Sequence, residues 1–333
     1  MARRAERARR WQEPAPYVKL ALLAVVVLVP LVVPSFQAVD LALKIAIFAT
    51  LVASYDILLG YTGIVSFGHA MFFGFGAYAV ALAVGKSGGY GHMLAGLVAA
   101  VAVTLAVSLL ISAFSLRVKA IFFAMITLAF AEFALILAVQ LSGFTGGEDG
   151  LSPTFPGIFA SRLTTYYVVL AVCAGLFAIM SRFVASPLGR TLQAIRDNEL
   201  RAEALGLRTF VFQSIASAFA SVVATLLGAA YAVWVRYVNP ESALGIPIML
   251  DILLMVIIGG IGTLWGGVIG AGVLLTAQTL LPKLRALGAA LFAGSVFVER
   301  LTDRWLLWFG ILFVLVVFFF PKGVLGTIRA RRR

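Results

Sequence analysis

Charge is what this sequence has least of. Only 12% of its 333 residues are Asp, Glu, Lys or Arg, while 62% are hydrophobic and the mean hydropathy is +1.06. A soluble domain carries about a quarter charged residues, because its outer layers must face water. The shortage excludes a soluble enzyme, a disordered chain and a secreted scaffold. Cysteine is nearly absent: the single Cys173, in an apolar run, excludes an intramolecular disulfide and a Cys-based metal cluster. Two histidines and that one cysteine supply no HExxH motif and no zinc cluster, so no metal site is expected. No Gly-x-x-x-x-Gly-Lys-Ser/Thr stretch occurs either, so the chain has no P-loop to cradle ATP. Nothing pairs a nucleophile recognisably with a base, and no catalytic residue is expected.

What is present is apolar length. A membrane-spanning helix takes roughly 20 apolar residues. Runs bounded by charge, Gly or Pro predict about ten spans, near 20–36, 41–59, 70–84, 92–114, 121–141, 165–181, 211–235, 246–259, 267–281 and 305–320. The expected fold is an all-α polytopic integral membrane protein. The basic start, Arg3 to Arg10, ahead of the run Leu20–Val33 resembles a signal peptide. No convincing small-residue cleavage site follows, and the reading is a cytoplasmic tail, 1–19, before an uncleaved first helix. The transmembrane domain then covers 20–326, and 327–333 is a second basic tail.

A net charge of +12 would point to nucleic acid in a soluble protein. Here it reads as topology, because Lys and Arg collect on the cytoplasmic side of a membrane. With the N-terminus inside, only Lys86, Arg162, Arg236, Lys283, Arg285, Arg300 and Arg304 fall outside, and Lys44 lies within a span; the other 18 of 26 basic residues are inside. An even span count returns the C-terminus to the same side, so both termini are expected in the cytoplasm.

Two connections are long enough to have structure of their own. The inner one, 182–208, offers Pro187 for a helix start, Asp197 or Asn198 for an N-cap and Gly206 for a C′ position. Two short helices with a break near Asp197 are expected. On the second, Leu200, Ala204 and Leu205 share one face, with Arg201 and Glu203 elsewhere. A helix lying on lipid would favour Lys and Arg with bulky anchors. This one is mixed in sign (Asp197, Glu199, Arg201, Glu203) and small in the middle, which favours docking on a cytoplasmic protein. The outer connection, 142–164, contains Gly146, Gly147, Glu148, Asp149 and Gly150 in succession. Its two acids lack the spacing of a calcium loop.

Glycine marks two places within the spans. Gly60–Gly76 carries Gly at 60, 63, 68, 74 and 76, and Gly259–Gly272 carries it at 259, 260, 262, 266, 267, 270 and 272. Each stretch follows Asp-Ile-Leu-Leu (Asp56–Leu59, Asp251–Leu254) and then reads Gly-Ile-x-Ser/Thr-Phe/Leu. The shared order predicts an internal repeat with two Gly-interrupted helices. Broken backbone is tolerated at membrane depth only against protein or a watery cavity, and paired breaks point to a transport pathway. Close packing of small residues is the alternative use of the same glycines. The pathway candidates are Tyr61, Thr62, Gly63, Ser66 and His69 at the first break and Gly260, Gly262 and Thr263 at the second. Intramembrane charges are costly without partners. Lys44 is expected to snorkel, Asp56 and Asp251 to cap backbone groups freed at the breaks, and Glu132, the deepest, to line the pathway or pair with a neighbouring helix. His69 is expected to serve as a hydrogen-bonding group.

The inner loop also resembles a known family. Glu203-Ala204-Leu205-Gly206 is similar to the Glu-Ala-Ala…Gly loop by which permease subunits of ABC importers engage their ATPases. The stretch Gly189–Gly206, with Arg190, Arg196 and Asn198-Glu199, resembles branched-chain amino acid permeases of the LivM type. So do Ser54–Gly63, Ser66–Ala70, Gly146–Leu151, Asn239–Ser242, Gly259–Gly266 and Pro321–Gly323, in that order over roughly residues 40–326. Ile64-Val65 departs mildly from the family pattern, at a place that bears on substrate. The resemblance implies half of a translocation pathway for branched-chain amino acids or similar small amphipathic solutes. It implies a homologous second permease, two ATPases that bind ATP and Mg, a solute-binding protein outside, and the inner membrane of a prokaryote. Arg190, Arg196, Asp197, Asn198, Glu199, Glu203, Ala204 and Gly206 would then form the ATPase-coupling site, and Gly146–Gly150 a gate or docking edge. A stand-alone proton-coupled transporter using Asp56, Glu132 or Asp251 is the other reading, and it leaves the mixed-charge loop without a purpose.

Overall fold

The computed structural model describes residues 16–33, 35–85, 89–115 and 120–291, together with 310, 311, 314, 315, 318, 319 and 323. Lys86, Arg117, Lys119, most of both basic tails and most of the span expected at 305–320 lie outside the described residues. With no water in hydrocarbon, a backbone must satisfy its polar groups internally, and the apolar runs accordingly form helices. In chain order these are α1 (Pro16–Val32), α2 (Phe36–Asp56), α3 (His69–Val84), α4 (Tyr90–Ser115), α5 (Ala120–Gln140) and α6 (Ser142–Thr145). They continue as α7 (Arg162–Ala185), α8 (Pro187–Asp197), α9 (Glu199–Ala204), α10 (Thr209–Val235), α11 (Pro240–Leu244), α12 (Ile246–Gly259) and α13 (Leu264–Leu291).

Six stretches are long and apolar enough to cross a membrane: Phe36–Thr62, Tyr90–Ser115, Phe122–Gln140, Arg162–Ala185, Thr209–Val235 and Pro240–Gly259. His69–Val84 and Leu264–Leu280 are apolar but shorter. The protein is therefore an all-α polytopic membrane protein, with fewer clear spans among the described residues than the ten expected.

The chain divides into two compact units, one of residues 50–253 and one of residues 1–49 with 254–333. The first is built on α3, α4 and α10. Gly76 of α3 lies against the Thr225 carbonyl and Gly228 of α10 against the Phe73 carbonyl, so a methyl group at either would collide with backbone. These glycines let two helices meet backbone to backbone, which is how helices associate in lipid. The Thr225 hydroxyl, fully buried at that crossing, stands 2.7 Å from the Thr104 hydroxyl of α4 and 3.1 Å from the Phe72 carbonyl. The side of α4 turned inward is small and polar (Gly96, Ala100, Thr104, Ser108, Ser112), while Leu94, Val98, Leu109 and Phe114 are exposed, as suits lipid.

Contacts at the two ends of this unit fix the direction of its helices. At one end the segment after α5 meets the ends of α3, α4 and α10. Leu151 and Val238 exchange backbone hydrogen bonds of 2.7 and 2.9 Å, and the Thr154 N–H donates to the Gly85 carbonyl. The Ile158 N–H donates to the Tyr90 hydroxyl, the Tyr237 hydroxyl to the Asp149 carbonyl and the Arg236 guanidinium to the Phe159 carbonyl. At the other end α8 and α9 meet the segment after α2 and the start of α10. Helices α3, α4, α5, α7 and α10 thus alternate in direction, each running from one end to the other.

In the second unit Lys44 pairs with Asp40 one turn earlier, at 3.0 Å. The expected snorkelling lysine therefore has an ion-pair partner within its own helix. The turn between α12 and α13 brings Gly259 against the Gly266 backbone and Gly270 against the Met255 carbonyl.

Candidate functional site

The first glycine stretch serves two purposes. Gly74 and Gly76 lie inside α3 and pack against Leu244 and Thr225. Gly60 and Gly63 belong to the end of the preceding helix. There α2 widens into a π-helical turn, Ile57–Thr62, and stops at Gly63, whose φ of 77° is one an L side chain adopts only with strain. π-Turns are rare and recur at functional sites. The Leu58 carbonyl takes the Gly63 N–H, the Ile64 N–H at 3.1 Å and the Thr62 hydroxyl. Residues 63–68 then run without helix, anchored by the Phe67 N–H on the Thr127 hydroxyl at 3.0 Å and the Gly68 N–H on Ser66 Oγ. Thr127 is seven residues inside α5, so at 1.5 Å per residue this irregular segment reaches about 10 Å along that helix.

The pathway candidates of this break differ in their surroundings. Gly63 is exposed; Tyr61, Thr62 and Ser66 are buried, and His69 is wholly enclosed. His69 Nε2 lies 2.8 Å from Ser54 Oγ. Because that hydroxyl gives its proton to the Leu51 carbonyl, the imidazole must donate through Nε2–H. The bond ties the start of α3 to α2, in keeping with the hydrogen-bonding role expected. Asp56 is buried directly before the π-turn, at its N-cap position, where its side chain makes no N-cap hydrogen bond. Glu132 is half-buried on α5.

The second break belongs to the other unit. There α12 ends at Gly259, Gly260 and Gly262 take φ values of 111° and 79°, and α13 begins at Leu264. The Thr263 hydroxyl donates to the Gly260 carbonyl at 2.7 Å. Gly260 is buried, and Gly262 and Thr263 are half-buried. Asp251 is half-buried within α12.

The inner loop forms two short helices, as the capping residues require. Ser186 accepts from the Gly189 N–H and Pro187 occupies the first turn of α8. Asn198, not Asp197, separates the helices and caps α9 by accepting from the Arg201 N–H at 2.9 Å. Gly206, at φ 82°, closes α9: its N–H donates to the Glu203 carbonyl and the Leu207 N–H to the Ala202 carbonyl. That is a Schellman ending. Gly189, Leu192 and Ile195 are the buried side of α8, which packs on the π-turn, α7 and α10.

Every charged residue of this loop is exposed, yet three of them also bond to the neighbouring helices. Arg196 donates to the Gly60 carbonyl inside the π-turn, and its side chain runs beside Gly63, where a Cβ would sit 3.2 Å from Arg196 Cγ. Glu199 accepts from the Gln213 amide at 3.2 Å and Glu203 from the Thr209 hydroxyl at 2.8 Å, which ties α9 to α10. Arg190, Asp197, Ala204 and Gly206 are exposed. The most exposed apolar side chains here are Leu200 and Leu205, at 79% and 76%.

Residues Gly146–Gly150 form a tight turn in which Gly146, Gly147 and Gly150 all have positive φ. Glu148 and Asp149 are exposed, and Gly150 lies against the Val238 carbonyl. Among the described residues no three His, Cys, Asp or Glu side chains converge as metal ligands.

Residues 37–321 match the family model described as branched-chain amino acid transport system / permease component. The chain is 26% identical to the high-affinity branched-chain amino acid transport system permease protein LivM of Salmonella typhimurium, over 93% of this chain and 75% of that one. LivM of Escherichia coli gives the same figures. BraD of Pseudomonas aeruginosa, a permease protein of the same description, is 26% identical over 84% of this chain and 91% of its own. No solved structure matches.

Proposed function

From the premise that the chain belongs to the branched-chain amino acid transport permease family, we propose that it is one permease subunit of a binding-protein-dependent ABC importer. It would form half of a pathway for branched-chain amino acids or similar small amphipathic solutes, in the inner membrane of a prokaryote. A homologous permease would complete the pathway, and a solute-binding protein would deliver the solute at Gly146–Gly150. Two cytoplasmic ATPases, holding ATP and Mg, would grip the loop Arg190–Gly206. About ten helices, two of them Gly-interrupted, with both termini in the cytoplasm, complete this reading.

One observation carries the assignment of the loop. Leu200 and Leu205 stand almost free on α9 while its Glu199 and Glu203 are held by α10. A helix fixed on one side with bulky apolar residues bare on the other fits a groove on a protein partner. The chain supplies no chemistry of its own; it supplies a path and the means to move it.

Reconstitution tests this function. Liposomes holding the permeases and ATPases should take up leucine only with internal or external ATP on the ATPase side and loaded binding protein on the other. Uptake driven by a proton gradient with no ATPase present would overturn the reading. Replacing Glu203 or Gly206 should weaken ATPase co-purification while leaving membrane insertion intact.

A further inference from the structure

Arg196 is the one cation of the inner loop shown reaching into the transmembrane body. Its guanidinium donates to the Gly60 carbonyl, 136 residues earlier in sequence. That carbonyl lies in the last turn before Gly63, where helical partners run out. The stem of Arg196 meanwhile lies beside the exposed Gly63, with 3.9 Å between its Cβ and the place a Cβ at 63 would take. The rest of α8 is seated by Leu192 and Ile195, both fully buried. The loop helix therefore holds the π-turn by an apolar seat and by one charged hydrogen bond to backbone.

We propose that Arg196 is a positioning residue that clamps the π-helical turn Ile57–Thr62 to α8, so that loop and broken helix move as one body during transport. The inference rests on the permease reading and adds to it the residue through which force passes. Leu200 and Leu205 offer the bare apolar surface for docking, whereas Arg196, though exposed, is bonded to the π-turn. A π-turn ending on glycine is pliable by construction, with backbone hydrogen bonds that can re-register. Without a clamp, a push on α8 would be absorbed in that turn. With it, the push reaches α2 and the irregular segment 63–68.

The test uses the complete importer in liposomes, with leucine on its binding protein, and reads leucine moved per ATP hydrolysed. Arg196→Ala should lower that ratio by about tenfold, the scale of losing a hydrogen bond to a charged group. Arg196→Lys, which can still donate to the Gly60 carbonyl, should recover most of it. A ratio in Arg196→Ala equal to that of the native chain would overturn the clamp. A covalent replacement is spanned in distance, since 3.9 Å between Cβ positions matches the ~3.8 Å mean of disulfides, although a side chain at the φ of 77° of Gly63 carries strain. In a Cys173→Ala background, the pair Gly63→Cys with Arg196→Cys should cross-link in resting membranes, even without ATPases. Reduced, it should be uncoupled like Arg196→Ala; oxidised, it should regain coupling. An oxidised form that transports less than the reduced one would show that loop and turn must part and would overturn the clamp. Loss of ATPase co-purification from the native chain would instead count against the permease reading itself.

Discussion

The contact of α3 with α10 gives the most direct test of how this membrane core is held together. At Gly76 and Gly228 a methyl group would collide with the backbone carbonyls of Thr225 and Phe73. Neither carbonyl can swing away, because each belongs to a helix. Gly76→Ala therefore forces the helices apart by about 1 Å, enough to forfeit a quarter to a half of each dispersion contact across the crossing. Overpacking of this kind costs about 1–3 kcal/mol, and against backbone the upper end applies. Alanine recovers about 1 kcal/mol of helix propensity, leaving a net loss of about 2 kcal/mol. Gly175 of α7 is the control, since nothing lies within 4 Å of a Cβ there. Gly175→Ala should retain the propensity gain of about 1 kcal/mol. Membrane proteins in detergent unfold irreversibly, so the quantity to measure is half-life at fixed temperature. A 2 kcal/mol loss borne by the native state shortens it about 30-fold, at about 1.4 kcal/mol per factor of ten. Gly228→Ala should behave like Gly76→Ala. If Gly76→Ala survives as long as the native protein, or Gly175→Ala decays as fast as Gly76→Ala, backbone contact is not what holds these helices.

Three further outcomes follow from single residues. Thr225→Val keeps the shape of the crossing but strips the hydroxyl shared by Thr104 and the Phe72 carbonyl; it should cost about 1–2 kcal/mol, and adding Thr104→Val should restore part of the lost half-life. Asn198→Ala removes the cap of α9 and should cost about 1 kcal/mol of local stability, visible as faster amide exchange over residues 199–204 with exchange in α10 unaltered. Arg236→Ala releases the Phe159 carbonyl and should open residues 152–161 to proteases added on that side, while the half-life of the core stays within twofold of native.

Much of the inner loop was legible in the sequence because its signals are local. Pro187, Asn198 and Gly206 each act on a neighbour within five residues, and the structure uses each at the helix end expected. Helical character was legible for the same reason, since apolar length alone requires it. What the loop charges touch was not. Glu199 and Glu203 read as outward docking groups until Gln213 and Thr209 stand beside them, and Arg196 reads as one more cytoplasmic cation. Its partner is a carbonyl, which no side-chain pattern announces. The glycines of Gly60–Gly76 were seen as one group, although Gly63 terminates a helix and Gly76 packs one. Distinguishing them requires knowing which residues face α10, and that information lies 150 residues away. Lys44 is the opposite case: Asp40 stands one turn earlier in the sequence, at a spacing known to pair, so its partner was legible locally.

That pair bears on how the chain enters the membrane. A lone lysine or aspartate costs the translocon about 2.5–3.5 kcal/mol at the centre of an inserting segment and less toward its end, where Asp40 and Lys44 stand in Phe36–Thr62. Asp40 and Lys44, bonded across one helical turn, are presented as a dipole with no net charge, which lowers that cost within the helix itself, before any later helix is made. Neither residue is harmless without the other. Their fates in related sequences should therefore be joined, with the acid and the base gained or lost together and single losses rare.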